Sequence, residues 1–184
     1  MKESKSFGGR GTQLTRDRIF DLLGRLNDSL SQKEIQGDLY LVGGAVLCLA
    51  HDARVSTHDL DGIFEPKSKI YECVKSIARE EDLDEDWVND AVKGFLGERQ
   101  EFTEFLLLSN LNVKIASPEF LLAMKVQSSR TENSNEVNDI RYLIKLLNLQ
   151  TVNDVEIIVS KFYDLKLLKP KSWHLVEEIL NEEV

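Results

Sequence analysis

Cysteine is scarce in this chain of 184 residues: Cys48 and Cys73 are the only two, too few and too far apart for a zinc site or a disulfide scaffold. Both stand in apolar-periodic segments, where a free thiol behaves as a small buried hydrophobe. No apolar stretch reaches the roughly 20 residues that a membrane-spanning helix needs, and no leader pattern opens the chain, so a cytoplasmic protein without a membrane partner is expected. Positive charge is also short, with 23 Lys and Arg against 32 Asp and Glu and a net charge of −9. Such a balance excludes a protein that coats nucleic acid non-specifically, because phosphate neutralisation needs a basic surface. It leaves room for a nucleic-acid substrate held by a local basic patch. Proline is rare, with three in the chain, and Pro66, Pro118 and Pro170 each mark a boundary between patterned segments. Internal repeats and low-complexity segments are absent.

What is present fits a packed fold. Hydrophobic residues make up 42% and charged residues 30%, which predicts a buried core rather than disorder. The length suits one domain, or a compact domain with a helical appendage. Residues 1–13 are polar and glycine-bearing and are expected to be loose. From Thr15 onward, Ile19, Leu22, Leu23, Leu26 and Leu30 share one helical face. Leu39–Val42 reads as a short buried strand, 45–51 as a helix starting at Gly43-Gly44, and Leu60–Phe64 as the next strand. Ile70, Val74 and Ile77 mark a helix that ends in the acidic patch 80–86, a solvated loop. Trp87, Val88, Ala91, Val92 and Phe95 predict a further helical segment that closes near Gly97. Two strands, 102–108 and 111–115, flank Ser109-Asn110 as a hairpin.

The remainder reads as helix. Ser117 caps a helix with Pro118 at its first position, and a polar break at 131–135 separates it from 137–147. Thr151 and Asp154 resemble a capping box before 155–162, and Pro170 opens the last helix. The expected architecture is α+β: a core over 14–116 with a small mixed sheet flanked by helices, followed by a C-terminal helical region over 117–184.

The chemistry concentrates between residues 39 and 64. A glycine pair between strand and helix lets backbone approach a phosphate, whose charge then sits at the helix start. Asp59 and Asp61, two apart on a strand, point to the same side with Leu60 buried behind them. Aspartate is disfavoured in strands, and two carboxylates so close repel each other unless a cation lies between them. The pair therefore predicts a divalent metal, Mg²⁺ or Mn²⁺, that bridges nucleotide phosphates and helps activate an attacking hydroxyl. His58, next to Asp59, is expected on the opposite side of the strand.

Gly43-Gly44, the Arg54-x-x-Thr57-x-Asp59-x-Asp61 segment and their strand context resemble the nucleotidyltransferase superfamily of the DNA polymerase β type. Leu121-Leu122-Ala123-Met124-Lys125 and Asn138-Asp139-Ile140-Arg141-Tyr142-Leu143 resemble the lysine and aspartate motifs of the AbiEii-type toxin nucleotidyltransferases and their uncharacterised relatives. The resemblance covers about residues 39–145. It implies the nucleotidyltransferase fold, with Asp59 and Asp61 as metal ligands, Lys125 on nucleotide phosphate and Asp139 as an additional catalytic acid that orients Lys125 or accepts a proton. Gly43, Gly44, Arg54 and Thr57 would complete the nucleotide site. It further implies transfer of a nucleoside monophosphate from a nucleoside triphosphate to RNA, such as a tRNA 3′ end, in a toxin with an antitoxin protein as partner. Two other readings stand beside it: transfer to a small hydroxylated compound such as an antibiotic, and a degenerate member that binds nucleotide or protein without turnover.

Two departures from the family pattern bear on these choices. Gly44 stands where many members carry a phosphate-binding serine. The usual third carboxylate of a later strand has no clear counterpart, since Glu101 and Glu104 border one candidate strand and the other offers Asn112 and Lys114. Two basic clusters are candidates to hold RNA: Lys2, Lys5, Arg10, Arg16 and Arg18, and Lys161, Lys166, Lys169 and Lys171.

Overall fold

The computed structural model of the chain describes residues 13–129 and 134–182, so the loose 1–12 segment, its cations Lys2, Lys5 and Arg10, and most of the 131–135 break lie outside the described residues. Strand β1 (Leu14–Thr15) leads into α1 (Arg16–Gln32), whose first turn is capped by the Thr15 hydroxyl accepting from the Arg18 amide. Then come β2 (Gly37–Leu41), α2 (Gly43–Leu49), β3 (Ser56–Thr57), β4 (Leu60–Glu65), α3 (Lys67–Glu81) and β5 (Val88–Asn89). A 3-10 segment (Ala91–Phe95) precedes the hairpin of β6 (Phe102–Leu107) and β7 (Leu111–Ala116). Helices α4 (Pro118–Ser128), α5 (Ser134–Leu146), α6 (Val152–Ser160) and α7 (Pro170–Asn181) close the chain. The α+β class is the one expected.

The main sheet has the order β5-β4-β2-β7-β6. It is mixed: β2 runs antiparallel to β4 and parallel to β7, β5 runs parallel to β4, and β6 closes the far edge antiparallel to β7. Along β2, β4 and β7 one face is apolar and fully buried (Leu39, Leu41, Leu60, Phe64, Leu111, Val113), and α1 and α3 pack over it. Their periodic residues, Ile19, Leu22, Leu23, Leu26 and Leu30 of α1 and Ile70, Cys73, Val74 and Ile77 of α3, are all buried. Both cysteines are buried free thiols.

Helix α4 is apolar on every side, with Phe120, Leu121, Leu122, Ala123, Met124 and Val126 all buried. A helix hydrophobic all round must be enclosed, and α4 is: α5, α6 and α7 surround it, while Phe120 meets Phe102 of the sheet edge on rings 5.7 Å apart. Ser117 and Thr151 cap as expected, Thr151 in a full capping box with Asp154. Among the described residues no helix is long and apolar enough to cross a membrane.

One expected element is different. Residues 87–95 are not one helix but an edge strand followed by a 3-10 turn. Trp87 is anchored beneath α3 by an indole N–H that donates to the Val74 carbonyl at 3.1 Å, and its own carbonyl accepts from the Leu60 amide at 2.7 Å. Those tertiary bonds pull Val88 and Asn89 into register with Leu60 and Asp61, overriding the helical spacing of the apolar side chains.

The turn that follows is stapled to α3 by Asp90, which accepts from Lys67, Tyr71 and Lys93. These donors, Lys67 first, hold the Asp90 carboxyl down at about 2, from an ordinary 3.8. Because the folded value is the lower one, the stabilisation is complete above pH 3.8 and is lost as pH falls through about 2. Asp90→Ala is expected to cost about 2 kcal/mol at neutral pH, the worth of bonds to a charged group. In urea titrations that gap should close between pH 4 and pH 2, the window set by these two values.

Candidate active site

The site begins where β2 ends. Gly43 has a φ of +67°, a left-handed conformation that an L side chain rarely adopts, and a Cβ there would stand 3.4 Å from Asp61 Oδ2. The Val42 amide donates to the Asp61 carbonyl at 2.9 Å, which holds the glycine turn against β4. At Gly44 a Cβ would lie 2.8 Å from Arg54 Nη1 and 3.1 Å from Thr57 Oγ1. The space that a serine side chain would take is therefore filled by a guanidinium and a hydroxyl from the β3 segment. Gly44→Ser is expected to destabilise the protein by about 1–3 kcal/mol through overpacking, since Arg54 is held in place. A drop in thermal midpoint, with no gain in phosphate binding by calorimetry, checks this.

Asp59 precedes β4 and Asp61 lies within it. The Asn89 amide donates to Asp59 Oδ2 at 3.0 Å, and Asn89 Oδ1 accepts from the Ala91 amide at 3.0 Å, which fixes the orientation of the amide. Burial pushes the Asp61 carboxyl above its ordinary value and the charge of Asp59 adds to this, while the Asn89 amide and the Lys125 ammonium oppose it. A buried carboxylate raised by a second one beside it is a site short of positive charge. Among the described residues no group of three His, Cys, Asp or Glu comes together in metal-binding geometry. Two carboxylates alone still fit Mg²⁺, a hard cation that takes one or two protein carboxylates and fills its shell with water and substrate phosphate oxygens.

Three charged side chains from distant parts of the chain, Arg54, Lys125 and Asp139, form one ion-paired cluster. Asp139 of α5 is 3% exposed. Its carboxylate accepts from Arg54 through both oxygens (Nε to Oδ1 at 2.7 Å, Nη2 to Oδ2) and from Lys125 Nζ at 2.7 Å. The loop bearing Arg54 is braced by the Tyr142 hydroxyl, which donates to the His51 carbonyl at 2.9 Å, and the Thr57 hydroxyl donates to the Asp59 carbonyl at 3.2 Å. A fork of Arg on carboxylate is the geometry that best fixes a guanidinium in direction.

Of the residues singled out by sequence, Gly43, Gly44, Arg54, Thr57, Asp59, Asp61 and Lys125 line one cleft of about 250 Å³. Asp139 does not line it; it lies behind Arg54 and Lys125 and reaches the cleft only through them. Arg141 is turned elsewhere, onto Asn138 and Glu182. His58 lines the cleft rather than facing away, because residues 58 and 59 precede the strand and its alternation does not yet apply.

Strand β4 lies between β2 and β5, with Asn89 of β5 in register with Asp61, and the 102–116 hairpin lies beyond β2. Glu104 faces Lys114 across the hairpin, Lys114 lies over the Tyr40 ring, and Asn112 donates to Asp38. Sequence reasoning missed Asn89, because a two-residue strand carries no period and the helical spacing of its neighbours hid it, and it missed Asn135 and Glu136 of α5, which also line the cleft. Of the basic clusters, Arg16 pairs with Asp52, Arg18 with Asp21 and Glu81, and Lys161 with Glu119.

The model of a family described as nucleotidyltransferase of unknown function (DUF6036) matches residues 17–177, and the chain belongs to that family. No curated protein matches it, and no solved structure matches it.

Proposed function

From membership in a nucleotidyltransferase family, we propose that this chain moves a nucleoside monophosphate from a nucleoside triphosphate to an acceptor hydroxyl, with Mg²⁺ held by Asp59 and Asp61. The observation that carries the reading is the convergence of two carboxylates, a glycine turn and two cations, Arg54 and Lys125, on one cleft. Mg²⁺ between the carboxylates and the phosphates would polarise the reacting phosphoryl group and offset its charge.

The chain's own groups do the rest. Gly43 and Gly44 let the backbone approach the phosphates. Lys125 and Arg54 face the negative charge that gathers on the phosphoryl oxygens and the departing pyrophosphate. Asp139 keeps both cations aimed, a positioning role. The acceptor oxygen attacks the α-phosphorus, the bond to the bridging oxygen of the β-phosphate breaks, and pyrophosphate leaves. The hydroxyl proton passes to a carboxylate of the Asp59–Asp61 pair.

The acceptor we assign is RNA, in a toxin acting under an antitoxin protein, on the resemblance to AbiEii-type nucleotidyltransferases. A small hydroxylated acceptor is the second reading, favoured by the ion pairs that engage Arg16, Arg18 and Lys161 with carboxylates. Incubation with Mg²⁺, each α-labelled nucleoside triphosphate and total RNA separates them. Label on RNA, absent with Asp61→Ala, supports the first reading, and label only on added small hydroxylated compounds supports the second. Nucleotide binding without transfer to any acceptor would overturn both in favour of a non-catalytic nucleotide binder.

A further inference from the structure

Beside the polar cleft lies a second cavity, of about 340 Å³, which shares Gly43, Asp61, Lys125 and Glu136 with it. That volume is at the lower end of the range that holds small ligands. Its other walls have a different chemistry. Val92 and Phe95 come from the 3-10 segment, and Leu121 and Met124 come from α4. Ser128 also lines it, but the Ser128 hydroxyl is already donated to the Met124 carbonyl at 2.8 Å.

Phe95 is the unusual member, because 48% of it is exposed although its backbone is tightly held. The Tyr163 hydroxyl donates to the Phe95 carbonyl at 2.8 Å. Burial pushes that phenol up to about 12. Two residues on, Gly97 is pressed against the Phe162 carbonyl so closely that a Cβ would stand 2.6 Å from it. Asp90 staples the front of the same segment to α3. An aromatic ring open to a cavity on an already ordered backbone is a platform for a flat partner, since stacking gains most when little is left to order.

We propose that this cavity takes the nucleobase of the donor nucleotide, stacked on Phe95, while its phosphates lie on Gly43 and Lys125; the proposal rests on the nucleotidyltransferase reading. One ligand then spans both chemistries: an anionic chain toward the cations and the metal pair, and a planar ring toward the apolar walls. Stacking on an aromatic face accepts any base, since every base has a π-face.

The test is calorimetric titration of the full-length protein in Mg²⁺ with each nucleoside triphosphate and with inorganic tripolyphosphate, no acceptor being present. Nucleotides are expected to bind about 10-fold or more tighter than tripolyphosphate, the worth of one stacked base. Phe95→Ala should bring nucleotide affinity down to that of tripolyphosphate while leaving tripolyphosphate itself unchanged. Phe95→Trp should retain the difference and show indole quenching by nucleotides but not by tripolyphosphate, measured against the unsubstituted protein. If nucleotides and tripolyphosphate bind alike, or Phe95→Ala weakens both equally, the nucleobase slot is overturned and the phosphate site stands. If neither ligand binds, the nucleotidyltransferase reading falls with it.

Discussion

Asp61→Asn is expected to lower nucleotidyl transfer by about a thousandfold or more while raising the thermal midpoint of the metal-free protein at neutral pH. The catalytic loss follows from removing one of the two proposed metal ligands: a bound metal's charge stabilisation would be worth several kcal/mol, and each 1.36 kcal/mol is about tenfold in rate. The gain in stability follows from the carboxyl's surroundings. Burial and then Asp59 raise Asp61 above its ordinary value of 3.8. The folded chain thus binds this proton more tightly than the unfolded chain does, and stability is lost as pH rises from 3.8 through the raised value. At neutral pH the full cost is present, so the neutral amide relieves it, and the difference should vanish in acid. Thermal melts in EDTA across pH, repeated in Mg²⁺, check both halves. Mg²⁺ should raise the midpoint of the unsubstituted protein and leave that of Asp61→Asn nearly unmoved. Equal stabilisation of both by Mg²⁺ would remove Asp61 from the metal site.

Asp139→Ala is expected to have the largest effect on stability, about 3–5 kcal/mol, because it leaves Arg54 and Lys125 facing each other across a buried space without their shared counter-charge. For a chain of this size that is a fall in midpoint of about 6–20 °C. Lys125→Met should cost much less in urea titrations, since Asp139 keeps its fork to Arg54, yet it should depress transfer strongly because the phosphate loses a cation. Asp139→Asn separates charge from packing, keeping the shape and losing the pairing. Its transfer rate should fall with a raised KM for the nucleoside triphosphate, as misaimed cations would produce. An Asp139→Asn protein as active and as stable as the unsubstituted one would end the positioning role.

These expectations draw on residues that were legible to very different degrees. Helices α1, α3, α6 and α7 were readable from amphipathic spacing, and α4 from its Ser117 cap and Pro118, because these are local events in which partners sit within one turn. The hairpin of β6 and β7 was readable for the same reason. Asp59 and Asp61 were legible as a candidate metal pair from their two-residue spacing; Asp59 itself precedes β4 and is held by the Asn89 amide rather than by strand alternation.

The sequence by itself thus determined the α+β class and most of the helices and strands, because each rests on neighbours a few positions apart, and it named Asp59 and Asp61 as a candidate pair. Only the tertiary structure decided what surrounds that pair. Asn89 entered the site because Trp87, pinned under α3, drew β5 into register with β4. Arg54 and Asp139 are 85 positions apart, and no local pattern announces their pairing. It arises because α4 and α5 pack together and place Lys125 and Asp139 beside the loop that fills the space over Gly44. A buried carboxylate requires counter-charges, but which cations supply them is settled by packing at long range.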